Sequence, residues 1–478
     1  MHNPTDSRFP HLAAAFDVVR MRTALQEAFF GTTVSGWMIG DCEIEETLYK
    51  PGRSCVLVYR LELVDITTGS VRPQLVCARL CRSGKANDEY TRAQAGRLVA
   101  SAGLPPVAYL AELEIVAWTF PNDPALKRLP DMLNVNLMRS LLPSRLPALD
   151  LCGDYRLKHI QADVLHYRTE RTCMLRYQLD IENRATAKVS PLTVYGKIYG
   201  SEASADVFQV MAQLAKHSPR LVTAIPLGYD AELNAVWQSH LCGESLHLEL
   251  STPSQCLATM APIAQCVAAF HTSALESIHV ATTKQILSQL AKTVRIISGT
   301  YPQMGARVAR LVRHLTARTE RINFSTAPEV PIHRDLKLAN FLLVDDHAAL
   351  IDLDEVSLGD PLIDIGSFIA AFSGRALLLG WDQTAVDTVV ERFLRHYAAR
   401  VTWPVARERL DWYVAASFVY ESIHRGVRQW DVDKLRNIPR WLSVAERYAY
   451  GKAASNHGAL ATLQPRSYLK RVSGESYQ

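Results

Sequence analysis

One stretch of this chain occurs twice, and that repeat limits the possible folds more than composition does. Residues 48–63, LYKPGRSCVLVYRLEL, align with residues 166–181, HYRTERTCMLRYQLDI, at a spacing of 118 residues. Tyr49, Arg53, Cys55, Leu57, Tyr59 and Leu61 fall on Tyr167, Arg171, Cys173, Leu175, Tyr177 and Leu179. The same spacing carries Val76 onto Val194, Arg79 onto Lys197 and Asp88 onto Asp206. Further on, AELEIVAW from Ala111 answers AELNAVW from Ala231, with a slip of a residue or two. Each copy alternates apolar and polar residues through two strands, then predicts a charged loop, a third strand, a helix and two more strands. A match at one spacing with the same element order reads as a duplication.

The remaining chain divides around that repeat. A helix is expected over Ala13–Phe30. The two prolines of Leu141–Asp150 mark a connector between the copies, and Leu241–Ser245 reads as a turn. Apolar residues then recur at helical spacing over Cys256–Leu275, Ile286–Ile297, Gly305–Ile322, Ala385–Tyr397 and Trp412–Val427. The expected division is 1–150 (helix and first copy), 151–243 (second copy) and 244–478 (a mainly helical unit), an α+β plan of two lobes preceded by a spare sheet unit. The tail from about Ser455 is polar and expected to fray.

Composition excludes several function classes. With 48% hydrophobic and 21% charged residues and a net charge of +4 over 478 residues, nothing points to nucleic acid or a membrane surface as partner. No window approaches a membrane span, and no secretory leader is visible at the N-terminus. The nine cysteines form no CxxC pair, and Cys77 and Cys81 lie in a strand pattern without a histidine cluster. Reduced thiols and a cytoplasmic location are expected.

The chemistry concentrates between Pro331 and Ser367, PIHRDLKLANFLLVDDHAALIDLDEVSLGDPLIDIGS. Asp335 sits in a His-Arg-Asp loop, Asn340 follows five residues on, and Asp352 ends an apolar strand twelve residues later. A hairpin of Phe341–Val344 and Ala349–Ile351 is expected to bring Asn340 beside Asp352. Phosphoryl transfer needs a carboxylate to take the proton of the attacking hydroxyl and hard cations where phosphate charge moves. Asp335 suits the first task; Asn340 and Asp352, as oxygen ligands, suit Mg2+. His333 is expected to hold the loop, Lys337 either to touch the transferred phosphate or to remain solvated, and Asp354 to cap the next turn or add a second carboxylate, the cap being favoured.

His333-Arg-Asp335-x4-Asn340, Ile351-Asp352-Leu-Asp354 and Gly359-Asp-Pro361-x2-Asp364 together resemble the aminoglycoside phosphotransferase and choline kinase family, small-molecule kinases of protein-kinase-like fold. The resemblance is specific over Ile332–Ser367 and looser over about 155–430. It implies ATP or GTP as donor, Mg2+ as ion, a small hydroxyl compound as acceptor, and Asp364 as the residue that steadies the loop. It also implies that Lys197, in the third strand of the second copy, contacts the donor phosphates. The carboxylate partner of Lys197 is expected on the following helix, Asp206 rather than Glu202. The loop Arg168–Thr172 departs from the family because it holds no glycine, whose absent Cβ lets backbone amides approach phosphate; Arg171 is the candidate side-chain substitute.

The first copy has Arg79 where Lys197 stands and no His-Arg-Asp loop of its own, so it reads as a small lobe that folds without catalysing. Only seven residues separate Asp352 from Asp360, too few for a peptide platform, which favours an amino sugar, sugar or amino alcohol as acceptor. The alternative is a pseudokinase that binds nucleotide as a regulator or scaffold.

Overall fold

The computed structural model describes residues 6–31, 36–101, 103–248, 251–276, 279–451 and 462–463. The expected fraying of the tail from Ser455 lies outside the described residues, apart from Thr462 and Leu463. The N-terminal helix is broken in two, α1 (Leu12–Ala15) and α2 (Val18–Phe30), because Asp17 accepts from the amides of Val19 and Arg20 and starts a new helix. Next come β1 (Trp37–Lys50), β2 (Ser54–Asp65), β3 (Val71–Leu80), α3 (Ala86–Gln94), β4 (Val107–Leu110) and β5 (Ile115–Thr119). They form an antiparallel sheet of order β1-β2-β3-β5-β4. Alternation sends Cys55, Leu57, Tyr59, Leu61 and Leu63 to one face, packed with Met21, Leu25 and Phe29 of α2. Val56 and Cys77 face the other way, toward Val116 and Trp118.

The second unit repeats this plan from its first helix. After α4 (Leu129–Leu133) and α5 (Val135–Arg145) come β6 (Tyr155–Arg168), β7 (Thr172–Asn183), β8 (Val189–Tyr199), α6 (Ser204–His217), β9 (Val222–Thr223), β10 (Pro226–Asp230) and β11 (Ala235–Ser239). Its sheet order, β10-β11-β8-β7-β6, matches the first strand for strand. Here α4 and α5 do what α1 and α2 do in the first unit. Leu129, Met138, Leu142 and Leu146 pack on Cys173, Leu175 and Tyr177, as Leu12, Met21, Leu25 and Phe29 pack on Cys55, Leu57 and Tyr59. Residues 141–150 are therefore not an open connector. Helix α5 runs through Pro143, and a boundary at residue 150 would cut a core in which each buried Leu contributes roughly 2 kcal/mol.

The helical unit contains β12 (Glu244–Ser245), α7 (Pro253–His271), α8 (Thr283–Thr300), α9 (Pro302–Arg318), β13 (Val330–Ile332), β14 (Phe341–Val344), β15 (His347–Leu350), β16 (Ser357–Gly359), α10 (Leu362–Leu378), α11 (Gln383–Ala398), α12 (Arg407–Ser417), α13 (His424–Gln429) and α14 (Val432–Tyr450). One turn of π-helix, Phe418–Ile423, links α12 to α13. Thr252 and Thr282 close capping boxes with Gln255 and Gln285, which set the starts of α7 and α8. Strand β9 pairs with β15 and so ties the second sheet unit to the helical unit. The result is a two-lobed, protein-kinase-like α+β fold with an additional sheet unit before it. Trp430, at the end of α13, packs against Phe16 and Tyr49 of that first unit. Among the described residues no helix is long and apolar enough to cross a membrane.

Candidate active site

Strand β13 delivers His333-Arg334-Asp335, and the fully buried Asp364 in the first turn of α10 fixes the loop. Its carboxylate accepts from the amides of His333 (2.6 Å) and Arg334 (2.8 Å) and lies 3.1 Å from Nε2 of buried His271. Arg334 is held at φ 65°, a left-handed backbone that costs about 1–3 kcal/mol and persists only where neighbours impose it. His333 Nε2 donates to the Ile351 carbonyl at 2.9 Å, and Asn340 Nδ2 donates to the Asp335 carbonyl at 2.9 Å. His333 thus holds the loop, as expected of it.

The β14–β15 hairpin turns at Asp345-Asp346 and carries Asn340 and Asp352 to the same cleft. Asp352 also has a left-handed backbone, φ 65°. Lys197 arrives from β8, where Gly196 beside it leaves space for Tyr177 and Trp237; a Cβ there would lie 2.7 Å from the Tyr177 ring. Lys197 Nζ stands 2.6 Å from Asp352 Oδ1 and 2.5 Å from Asp354 Oδ2, and the Tyr199 hydroxyl donates to Asp354 Oδ1 at 3.0 Å. Burial pulls the Lys197 ammonium down, but Asp354 and Asp352 outweigh it and hold the net shift upward. Burial likewise raises Asp352, and Lys197 with Arg168 and Lys337 drives it well below the usual carboxylate range. The cleft they line has a volume of about 440 Å³, with Met174, Met211, Leu241 and Leu342 among its apolar walls.

Asp335 is partly exposed beside this cleft. Lys337 bridges from the cleft to its carboxylate, and Arg425 of α13 stands 3.3 Å from Oδ1. Burial raises Asp335, yet Lys337 and Arg425 together bring it below its ordinary value. Next to Arg425, Glu421 in the π-turn is pushed up to about 7 by burial, against the pull of Arg425 and with Asp335 adding to the rise. Ser367 donates to it at 3.0 Å.

Two expected residues stand elsewhere. Asp206 is exposed in the first turn of α6, because the inward stripe of that helix is Val207, Val210, Met211 and Leu214. The carboxylate partners of Lys197 are Asp352 and Asp354, so Asp354 turns to the lysine rather than capping a turn. Arg171 is exposed and outside the cleft; Arg168 and His166, at the end of β6, line it instead. The reason is the geometry of the β6–β7 tip, which pairs Arg168 with Thr172 and puts Glu170 at φ 57°.

That tip is held by the first sheet unit. The Thr169 amide donates to Glu46 (3.2 Å), the Glu170 amide to Asp123 (2.9 Å), and the Tyr167 and Thr169 hydroxyls to Asp123 (2.7 and 3.2 Å). Cys77 Sγ lies 2.9 Å from Thr169 Oγ1. Arg79, the counterpart of Lys197, is paired with Glu89 of α3 and with Glu170. The tip also lies close against the end of β8: a Cβ on Gly200 would meet the Glu170 carbonyl at 2.5 Å. The Thr169 and Glu170 amides of this glycine-free loop are thus taken by two carboxylates. Asp123, Glu46, Arg425 and Glu421 have no motif around them, and sequence reasoning missed all four.

Residues 188–412 match the phosphotransferase enzyme family (APH). That segment is similar to the family over a little under half of the chain. The matched segment starts one residue before β8 and ends in α12, so it contains Lys197, Asp335, Asn340 and Asp352 but neither sheet-unit hairpin tip. Among solved structures, a choline kinase from Streptococcus pneumoniae is 14% identical with a TM-score of 0.44, over 65% of this chain and 99% of its own. A thermostable aminoglycoside phosphotransferase mutant in ternary complex with ADP and hygromycin B is 14% identical with a TM-score of 0.43, over 66% and 99%. A choline/ethanolamine kinase family protein from Mesorhizobium loti is 15% identical with a TM-score of 0.39, over 56% and 84%. No curated protein matches the sequence.

Among the described residues, no group of three His, Cys, Asp or Glu side chains forms a ready metal cage. The donors at the cleft are the Asp352 and Asp354 carboxylates and the Asn340 amide, whose nitrogen is spent on the Asp335 carbonyl. All are oxygen ligands, which fits a cation that takes one or two protein groups and completes its shell with phosphate and water.

Proposed function

We propose that this protein transfers the γ-phosphoryl group of ATP or GTP to a hydroxyl of a small molecule: an amino sugar, a sugar or an amino alcohol. The observation that carries the reading is the convergence of Lys197, Asp352, Asn340 and Lys337 on one cleft, with Asp335 paired to Lys337 at its edge. Asp335 orients the acceptor hydroxyl and takes its proton as the acceptor oxygen bonds to Pγ and the bond from Pγ to the β-phosphate oxygen breaks. Asn340 and Asp352 would hold Mg2+, which supplies neutralising charge on the donor phosphates. Lys197 exchanges its carboxylate partners for the α- and β-phosphates, and Lys337 is placed to follow the charge of the transferred group.

A second reading, a nucleotide-binding regulator without turnover, is favoured by one feature: the tip above the cleft already spends its Thr169 and Glu170 amides on Glu46 and Asp123. The deciding experiment is Mg2+-dependent loss of ATP or GTP over a panel of amino sugars, sugars and amino alcohols. Turnover that falls about 10²–10⁴-fold in Asp335→Asn supports the enzyme. Turnover undiminished by that change refutes the mechanism. Nucleotide binding with no turnover on any acceptor supports the regulator.

A further inference from the structure

A second cavity, of about 650 Å³, lies between the β1–β2 tip, α8 and α13. Five cations line it: Lys50 and Arg53 from the tip, Lys292 and Arg295 from α8, and Arg428 from α13. Among the described residues none of the five has an ion-pair or side-chain hydrogen-bond partner, and Arg428 Nε is buried without one. The single carboxylate in the lining, Asp6, is already committed. It accepts from the Gly52 amide (2.6 Å), the Tyr49 hydroxyl (2.8 Å) and the Arg8 amide (3.0 Å).

The charges feel one another. Burial and Arg428 lower Lys50; burial, Arg171 and Arg425 lower Arg428. His424, on the cavity wall, is pushed down to about 4 by burial and then by Arg428, Lys292 and Arg425. Like charges gathered in a concave, partly buried wall repel one another and focus a positive potential into the space. An anion relieves that repulsion, and arginine offers a phosphate two parallel donors.

We propose that this cavity binds the phosphate group of a small phosphorylated compound, held by Arg428, Lys292 and Lys50 and roofed by the β1–β2 tip. The repeat gives the roof its logic. Gly52, at φ 65°, stands at the spacing-equivalent position of Glu170, so one tip covers the nucleotide cleft and its duplicate covers the basic cavity. Arg428 lies one helical turn, about 5 Å along the axis, from Arg425, which contacts Asp335.

The test is calorimetric titration of the full-length chain with inorganic phosphate, without nucleotide, so it stands apart from the phosphotransfer reading. The wild type is expected to bind saturably. Arg428→Gln and Lys292→Gln are expected to weaken binding about tenfold each, roughly 1.4 kcal/mol, while Lys197→Ala leaves it unchanged. In phosphate-free buffer both glutamine variants melt no lower than the wild type, because repulsion has been removed, and they lose the stabilisation that phosphate gives it. Unchanged affinity in both variants, loss of binding only in Lys197→Ala, or binding abolished by physiological salt overturns the proposal. Competition of phosphate with the acceptor, when one is found, marks the site as the acceptor's charged end. A change in rate without competition marks an effector site.

Discussion

Arg79, on the third strand of the first sheet, reaches Glu170 at the tip of the second hairpin, Nε to Oε1 3.0 Å. The pair joins the spacing-equivalent of Lys197 to the tip above the cleft that Lys197 lines. Arg79→Ala is expected to loosen the tip and weaken ATP several-fold, whereas Lys197→Ala abolishes detectable ATP binding. Isothermal titration of both variants reads this directly. The reverse order would move the nucleotide to the first unit.

Asp123 collects more of the tip than any other residue. Asp123→Ala leaves the Glu170 amide without its acceptor and the Tyr167 hydroxyl with only Thr169 Oγ1 at 3.2 Å, at about 1–3 kcal/mol for a buried group left unpaired. Urea unfolding should show a loss of roughly 3 kcal/mol, with nucleotide affinity falling alongside. A loss under 0.5 kcal/mol, about the scatter of surface substitutions, would mean that the tip does not depend on the first sheet.

Lys197 is the counter-charge for two carboxylates. Asp352 is depressed below its ordinary 3.8, so its contribution to stability is complete above that value and is lost only as pH falls toward the folded pKa. In Lys197→Met the two acids repel, Asp352 rises, and acid unfolding begins at higher pH. Added Mg2+ should raise the melting temperature of this variant more than that of the wild type. An equal shift in both would argue against a cation at Asp352.

With Asp335 as the proposed base, its pairing is expected to set the acid limb of activity. Because Lys337 and Arg425 hold it low, Asp335 stays ionised throughout the range above its ordinary 3.8, and its protonation should cost no rate there. In Lys337→Ala the limb moves up in pH. A kcat/KM profile of the two proteins against pH checks the direction, and a limb that stays in place removes Asp335 as the titrating group.

Glu421 behaves oppositely. Its carboxyl is raised from 4.5 to about 7, so the folded state holds a proton that the unfolded state releases between those values. Its contribution to stability is therefore greatest below pH 4.5 and declines toward pH 7, by roughly 3 kcal/mol at 1.36 kcal/mol per unit. Glu421→Gln should flatten that part of the pH–stability curve, and a curve unchanged by the substitution would place Glu421 outside the effect.

The stretch from His333 to Ser367 was legible because its contacts are local. A turn at Asp345-Asp346 between two continuous apolar runs, 341–344 and 348–351, is enough to set Asn340 beside Asp352. The order of elements along each sheet unit followed from a repeat whose spacing is constant through Lys197. Helices α4 and α5 escaped notice because Met21 and Leu25 recur as Met138 and Leu142 at a spacing of 117, one residue out of step with the strands. Asp206 stands away from Lys197 because two faces of α6 were open to the core and the packing of Val207 and Val210 chose between them. Arg425 reaches Asp335 across 90 residues from a helix aimed by a π-turn, and no short-range pattern encodes that.

Trp430 gives the first sheet unit a bearing on the turnover proposed above. Its indole is gripped by Phe16 and Tyr49, and five residues back along the same segment Arg425 touches Asp335. A truncation or bulky tag at the amino end would therefore act as a remote brake, tilting the segment that carries Arg425 while leaving every cleft residue in place. Expression strategies that trim the chain to residues 188–412 would discard that support along with β6 and β7, and the shortened product is expected to show less of the proposed activity than the full 478 residues.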